Sequence, residues 1–131
     1  MAEPRTLPID GLTVTRIAVD DSLTLFCRAG DGRAAEIRID GAFVWRDRTG
    51  DSHAGCVEDS PHSAGPVLDA VYTLIATARI NQDGGLEIGF GDASTLTAAA
   101  EDHFVSWEIK GSDGFHAVCL ADRDVIVKDI A

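Results

Sequence analysis

Nowhere does this chain hold the roughly 18 consecutive apolar residues that a membrane-spanning helix needs, so no membrane partner is expected. Positive charge is scarce. Eleven Lys and Arg stand against 22 Asp and Glu, for a net charge of −11. Phosphate backbones recruit basic surfaces, so nucleic acid is set aside as a partner as well. Cysteine is limited to Cys27, Cys56 and Cys119. An odd, widely spaced set does not make the disulfide framework of a small secreted domain. Cys27 and Cys119 fall in alternating apolar runs and read as small buried hydrophobes, which a disulfide could join only if their strands were neighbours. The first residues, Met1-Ala2-Glu3-Pro4-Arg5, lack the basic-then-apolar layout of a signal peptide, and the expected location is the cytosol. Aromatic residues make up 6% of the chain, few enough that each has a definite place. Trp45 and Trp107 are read at core edges, where an indole N–H can find a partner.

Catalytic signatures are missing too. There is no Gly-x-Ser-x-Gly elbow to expose a nucleophilic serine. Gly89 and Gly91 flank Phe90 without the Lys-Ser/Thr that completes a phosphate loop, so a strand twist or bulge is the better reading. The Asp-x-Asp-x-Asp-Gly calcium pattern is absent. His53, Cys56 and His62 are candidate metal ligands, but no Cys-x-x-Cys pair exists to complete the four that structural zinc takes. The expectation is a protein that is not an enzyme and carries no cofactor.

What the chain does have is punctuation. Five Asp-Gly pairs occur, at Asp10-Gly11, Asp31-Gly32, Asp40-Gly41, Asp83-Gly84 and Asp113-Gly114. Most lie between short segments of alternating apolar and polar residues, the signature of antiparallel hairpins. In 131 residues one domain is expected. Residues 1–11, with Pro4 and Pro8, read as a loose lead-in. Strands are expected over 12–19, 22–28, 36–40, 43–45, 74–80, 86–90, 94–98, 104–109, 115–120 and 125–128. Residues 47–65 read as one long loop, of the kind that is often functional. One short helix is expected over 66–74, capped by Ser63, with Val67, Leu68, Val71 and Tyr72 on its buried face. The predicted core is Leu23, Leu25, Ile37, Ile39, Leu68, Val71, Ile80, Leu86, Ile88, Phe90, Trp107, Ile109 and Val118.

The fold class is therefore α+β, predominantly antiparallel β: a hairpin-built sheet, barrel-like or two-layer, with one short helix. The halves echo each other. Arg16-Ile17, Leu23-Thr24-Leu25 and Phe43-Val44 are matched by Arg79-Ile80, Leu86-Glu87-Ile88 and Phe104-Val105, which suggests two pseudo-repeated meanders.

Residues 83–114 resemble a small, mostly actinobacterial family of uncharacterised proteins, a domain of unknown function. The resemblance rests on Asp83-Gly84-Gly85-Leu86-Glu87-Ile88-Gly89-Phe90, Asp92-Ala93-Ser94 with Leu96, Trp107-Glu108-Ile109, and Gly111 with Gly114. The chain departs from the pattern where Ala93 replaces a turn glycine, Val105 replaces a glutamate, and Ala121-Asp122-Arg123-Asp124 replaces a glycine-rich ending. The resemblance implies a similar β-rich fold and brings no activity with it.

Charge supplies the functional expectation. Residues 1–50 hold eight acids and seven bases, whereas residues 51–131 hold fourteen acids and four bases. An acidic surface steers toward a basic protein partner. The expected role is a non-catalytic, acidic protein-interaction module, immunity-like in its action, contacting its partner through Glu87, Asp92, Glu101, Asp102 and Glu108. The alternative is a small-molecule or metal-dependent hydrolytic β domain using the 47–65 loop. The oligomeric state is not set by these features.

Overall fold

Twelve short strands form in the computed structural model, which describes residues 5–129. In chain order they are Arg5–Thr6 (β1), Thr13–Val19 (β2), Leu23–Arg28 (β3), Ala34–Ile39 (β4), Phe43–Arg46 (β5), Ser52–Gly55 (β6), Ile75–Ile80 (β7), Leu86–Phe90 (β8), Thr95–Ala98 (β9), Trp107–Gly111 (β10), His116–Cys119 (β11) and Val125–Lys128 (β12). They make two six-stranded antiparallel sheets. The first has the order β1-β7-β8-β9-β5-β6, the second β12-β11-β10-β4-β3-β2. The sheets do not close into a barrel, so the two-layer form of the expected β-rich fold is the one adopted. Among the described residues no helix is long and apolar enough to cross a membrane.

Alternation explains which face each strand buries. In β3, Leu23, Leu25 and Cys27 are buried, and in β4 Ile37 and Ile39 are, while Glu36 and Arg38 point to water. The inward residues of both sheets join one continuous buried cluster. Three Asp-Gly pairs sit in hairpin turns, between β3 and β4, β7 and β8, and β10 and β11, with the glycine at positive φ in each. Asp40-Gly41 does something else. It lies where the chain leaves the second sheet for the first, and a Cβ on Gly41 would stand 2.5 Å from Glu101 Oε2. Glycine there makes room for a carboxylate that accepts the Ala42 N–H at 2.9 Å.

The pairing pattern occurs twice. A meander, β2-β3-β4, lies in the second sheet and its chain continues into β5-β6 of the first. A second meander, β7-β8-β9, lies in the first sheet and continues into β10-β11 of the second. Both meanders carry a register shift in their opening pair, between Val14 and Arg16 and between Ile75 and Thr77. The pairing corrects the sequence echo at two of its three points. Leu25 pairs with Ile37 as Ile88 does with Leu96, so Leu23-Thr24-Leu25 and Leu86-Glu87-Ile88 correspond. Arg16-Ile17, however, corresponds to Thr77-Ala78, because the β7–β8 turn is longer than the β2–β3 turn. Phe43 corresponds to Trp107, since Phe43 faces Ala98 as Trp107 faces Ile39, and Phe104-Val105 lies outside any strand.

Other expectations are corrected by packing. Over residues 5–11 the lead-in is structured: β1 pairs with β7, and Leu7 and Ile9 are in the core. Met1 to Pro4 lie outside the described residues. The 47–65 stretch contains β6 and the start of the helical segment. That segment is a 3₁₀ helix, Pro61–Ala70, earlier than expected and preceded by Ser60 rather than capped by Ser63. Its buried residues, Ala64, Val67 and Ala70, recur every third position, as three residues per turn require. The 3.6-residue face predicted for it therefore fails. Leu68 is 53% exposed and Tyr72 80% exposed, and Val71 is only partly buried. Val118 is buried outside the main cluster, and Trp45 and Trp107 are fully buried rather than at core edges. Cys27 and Cys119 belong to strands separated by β4 and β10, and all three cysteines are free.

Candidate functional site

At one end of the sandwich three segments meet: the β5–β6 hairpin loop, the β8–β9 turn and the last turn of the 3₁₀ helix. They enclose a cavity of about 190 Å³ lined by Trp45, Asp47, Arg48, Asp69 and Asp92. Each side chain arrives there for a local reason. Trp45 is an inward residue of β5, in cross-strand register with Leu96 and His53, and its ring packs against Phe90 with centroids 5.6 Å apart. Asp47 closes the hairpin loop. Its Oδ1 accepts the Thr49 hydroxyl at 2.6 Å and the N–H groups of Thr49 and Asp51 at 3.0 Å, and its Oδ2 lies 3.1 Å from His53 Nε2. Asp92 forms an Asx turn, accepting the Ser94 N–H at 3.0 Å and the Ser94 hydroxyl. Asp69 is in the last turn of the 3₁₀ helix, which ends at Ala70, and is exposed.

These contacts hold charge in place. The hydroxyl of Thr49 and the imidazole of His53 bring the Asp47 carboxyl well below the usual carboxylate range. The Ser94 hydroxyl lowers that of Asp92, with a smaller contribution from the Arg48 guanidinium. Both groups are therefore standing anions, suited to electrostatic recognition; proton transfer near neutrality favours a group that titrates there. Beside them is an unmet demand. Trp107 donates its indole N–H to the Gly84 carbonyl at 3.0 Å, whereas the buried Nε1 of Trp45 has no acceptor among the described residues. A buried donor left without a partner costs roughly 1–3 kcal/mol.

Exposed apolar side chains stand nearby in the chain: Leu68 precedes Asp69, Tyr72 follows it by three residues, and the carbonyl of Leu74, 48% exposed, accepts the Gly91 N–H next to Asp92. Tyr72 holds φ at 69°, an uncommon conformation for a bulky side chain. Two hydrogen bonds to Val14, from the Tyr72 N–H and to the Thr73 carbonyl, keep it there.

The structure disperses the acids singled out in the sequence. Only Asp92 lines the cavity. Glu87 is on the solvent face of the first sheet, 3.0 Å from Arg79, and Glu108 is on the solvent face of the second, paired with His116. Glu101 and Asp102 lie past the other end of β9, where Glu101 holds Ala42 and Asp102 pairs with Arg123 at 2.7 Å. His53 is engaged by Asp47, the Cys56 N–H is held by Ser63 Oγ, and His62 is exposed. Among the described residues no group of three or more His, Cys, Asp or Glu side chains is arranged to hold a metal ion. Asp47 and Arg48 fall in the 47–65 loop named from the sequence, but their grouping with Trp45, Asp69 and Asp92 is not evident there, because the helix and the β8–β9 turn come from distant segments with no spacing rule between them. The nearest signal was Asp47-Arg48-Thr49-Gly50-Asp51, a turn composition.

A family model described as a family of unknown function (DUF6188) matches residues 5–128. No curated protein and no solved structure matches the chain.

Proposed function

We propose, on the premise that the chain belongs to the DUF6188 family and that this family carries no assigned activity, that the protein is a non-catalytic interaction module for a basic protein partner, and that it receives an arginine of that partner in the cavity at Trp45. One observation carries the reading: Asp47, Asp69 and Asp92 line one cavity with Trp45, whose buried indole N–H has no acceptor among the described residues. A peptide arginine supplies both complements. Its guanidinium offers a planar fork of donors to carboxylates, and its backbone carbonyl offers an acceptor to the indole. The exposed Leu68, Tyr72 and Leu74, close in sequence to Asp69, offer the partner's main chain apolar surface. A neutraliser of a basic toxin, immunity-like in action, would use such a contact. The hydrolytic alternative built on the 47–65 loop draws less support, since the His53 imidazole is engaged by Asp47 and no group of three or more metal-ligating side chains is found among the described residues.

The test is a titration with a blocked Gly-Arg-Gly tripeptide followed by the indole N–H resonances. The Trp45 signal is expected to move and saturate while that of Trp107 stays. Asp69→Asn should weaken binding by about tenfold, and Arg48→Gln, which removes a competing cation, should strengthen it. An analogue with citrulline in place of arginine should be silent. Shifts that spread over the surface acids without saturating, or that ignore Asp69→Asn, would overturn the reading.

A further inference from the structure

On the solvent face of the second sheet, long side chains surround a patch of short ones. Arg28 of β3 faces Ala34 of β4, and Ala34 exchanges hydrogen bonds with Ser112, its N–H to Ser112 Oγ at 3.0 Å and its carbonyl to the Ser112 N–H at 2.9 Å. In the next row Phe26, Glu36 and Lys110 stand side by side across three strands. The size mismatch leaves a hollow of about 370 Å³, floored by Ala34, Gly111 and Ser112 and walled by Phe26, Arg28, Glu36 and Lys110. Hollows of this volume accommodate compact organic ligands.

Its charge runs against that of the molecule. The chain has twice as many acids as bases, yet among the described residues neither Arg28 nor Lys110 makes an ion pair, and neither does Arg16, whose guanidinium lies 4.0 Å over the Phe26 ring. Three cations without carboxylate partners thus share one face, with Glu36 the single acid lining the hollow. The other acid on this face of β10, Glu108, is two residues from Lys110 and is held to His116, and a Debye length of about 8 Å at physiological salt screens the more distant charges.

We propose that this hollow binds a small organic phosphate monoester. Arg28 and Lys110 meet the phosphate, whose charge of about −1.5 to −2 matches the two cations. The Glu36 carboxylate accepts an N–H or O–H of the organic part. The site is separate from the arginine cavity and does not depend on it.

The experiment is a titration at 0.05 M salt with adenosine monophosphate, ribose 5-phosphate, inorganic phosphate and adenosine, read by backbone amide shifts. At least one ester should bind saturably, with shifts centred on β3, β4 and β10, and more tightly than inorganic phosphate; adenosine should be silent. Arg28→Gln and Lys110→Gln should each weaken binding about fivefold or more, without lowering the melting temperature, since both side chains are exposed. Glu36→Ala should remove the preference for the ester over inorganic phosphate, and Asp69→Asn should change nothing. The proposal is overturned if no ester binds, if binding survives both cation variants, or if inorganic phosphate binds as tightly as the esters.

Discussion

Among the described residues, three other than glycine hold positive φ: Tyr72 at 69°, Ala93 at 75° and Arg123 at 68°. Two of them stand where the chain departs from the glycine-bearing pattern it resembles, at the Asp92-Ala93-Ser94 turn and at Ala121-Asp122-Arg123-Asp124. The physical reason for the pattern's glycines is then plain, since a left-handed backbone costs a residue with a Cβ roughly 1–2 kcal/mol. Ala93→Gly should remove that strain. After about 0.4–1 kcal/mol is returned through the freer unfolded chain, a net gain of about 0.5–1 kcal/mol is expected, or about 2–5 °C in melting temperature by calorimetry. A fall would show that Ala93 is not strained. Tyr72 has no such explanation in the pattern. It follows the 3₁₀ helix that carries Asp69, and two hydrogen bonds to Val14 hold it there. Cysteine chemistry also separates at this scale. Burial pushes the Cys27 thiol up to about 12 and raises that of Cys119, which keeps both in the less reactive protonated form.

Element identity was legible wherever two residues per repeat governed burial, as in β3, β4 and β8. It was not legible in the 3₁₀ helix. There Pro66 and the small residues Ala64, Gly65 and Ala70 permit a tighter winding, and the apolar pattern of Val67, Leu68, Val71 and Tyr72 looks like an α-helical face. Nor did Arg5-Thr6 or Ser52 to Gly55 carry a strand signal. Each pairs with one neighbour at the margin of the first sheet, where tertiary context overrides weak propensity. The β5–β6 loop makes a prediction at this scale. The Asp47 carboxyl titrates below its ordinary value of 3.8, so its contribution to stability is complete above that pH and is lost as pH falls toward the folded value. Asp47→Asn should lower stability at pH 7 and show a shallower loss between about pH 4 and 2 than the parent, as followed by urea unfolding at fixed pH. Equal slopes would mean that Asp47 is not held as described.

At the scale of the whole molecule, the doubled meander shares one core. Leu25 and Ile88 occupy corresponding positions in the two halves, and both are fully buried in the same cluster. Truncating either to Ala should cost about 2–5 kcal/mol, and each variant should still melt in a single transition seen alike by far-ultraviolet circular dichroism and by tryptophan fluorescence. Two separate transitions would mean that the halves fold apart. The β class, the hairpin turns and most inward faces followed from the sequence, because pleat alternation and the φ demands of Asp-Gly turns are local. The charge imbalance was equally plain in composition. Where the charges gather was not. The acids nominated from the second half point to both solvent faces and both ends of the sandwich, while the cavity takes Asp47 from one loop, Asp69 from the 3₁₀ helix and Asp92 from a turn. The cationic hollow likewise joins Arg28 to Lys110 across β4. Both sites depend on cross-strand register and on how the two sheets stack, which are set by contacts distant in the chain and leave no spacing in the sequence to read.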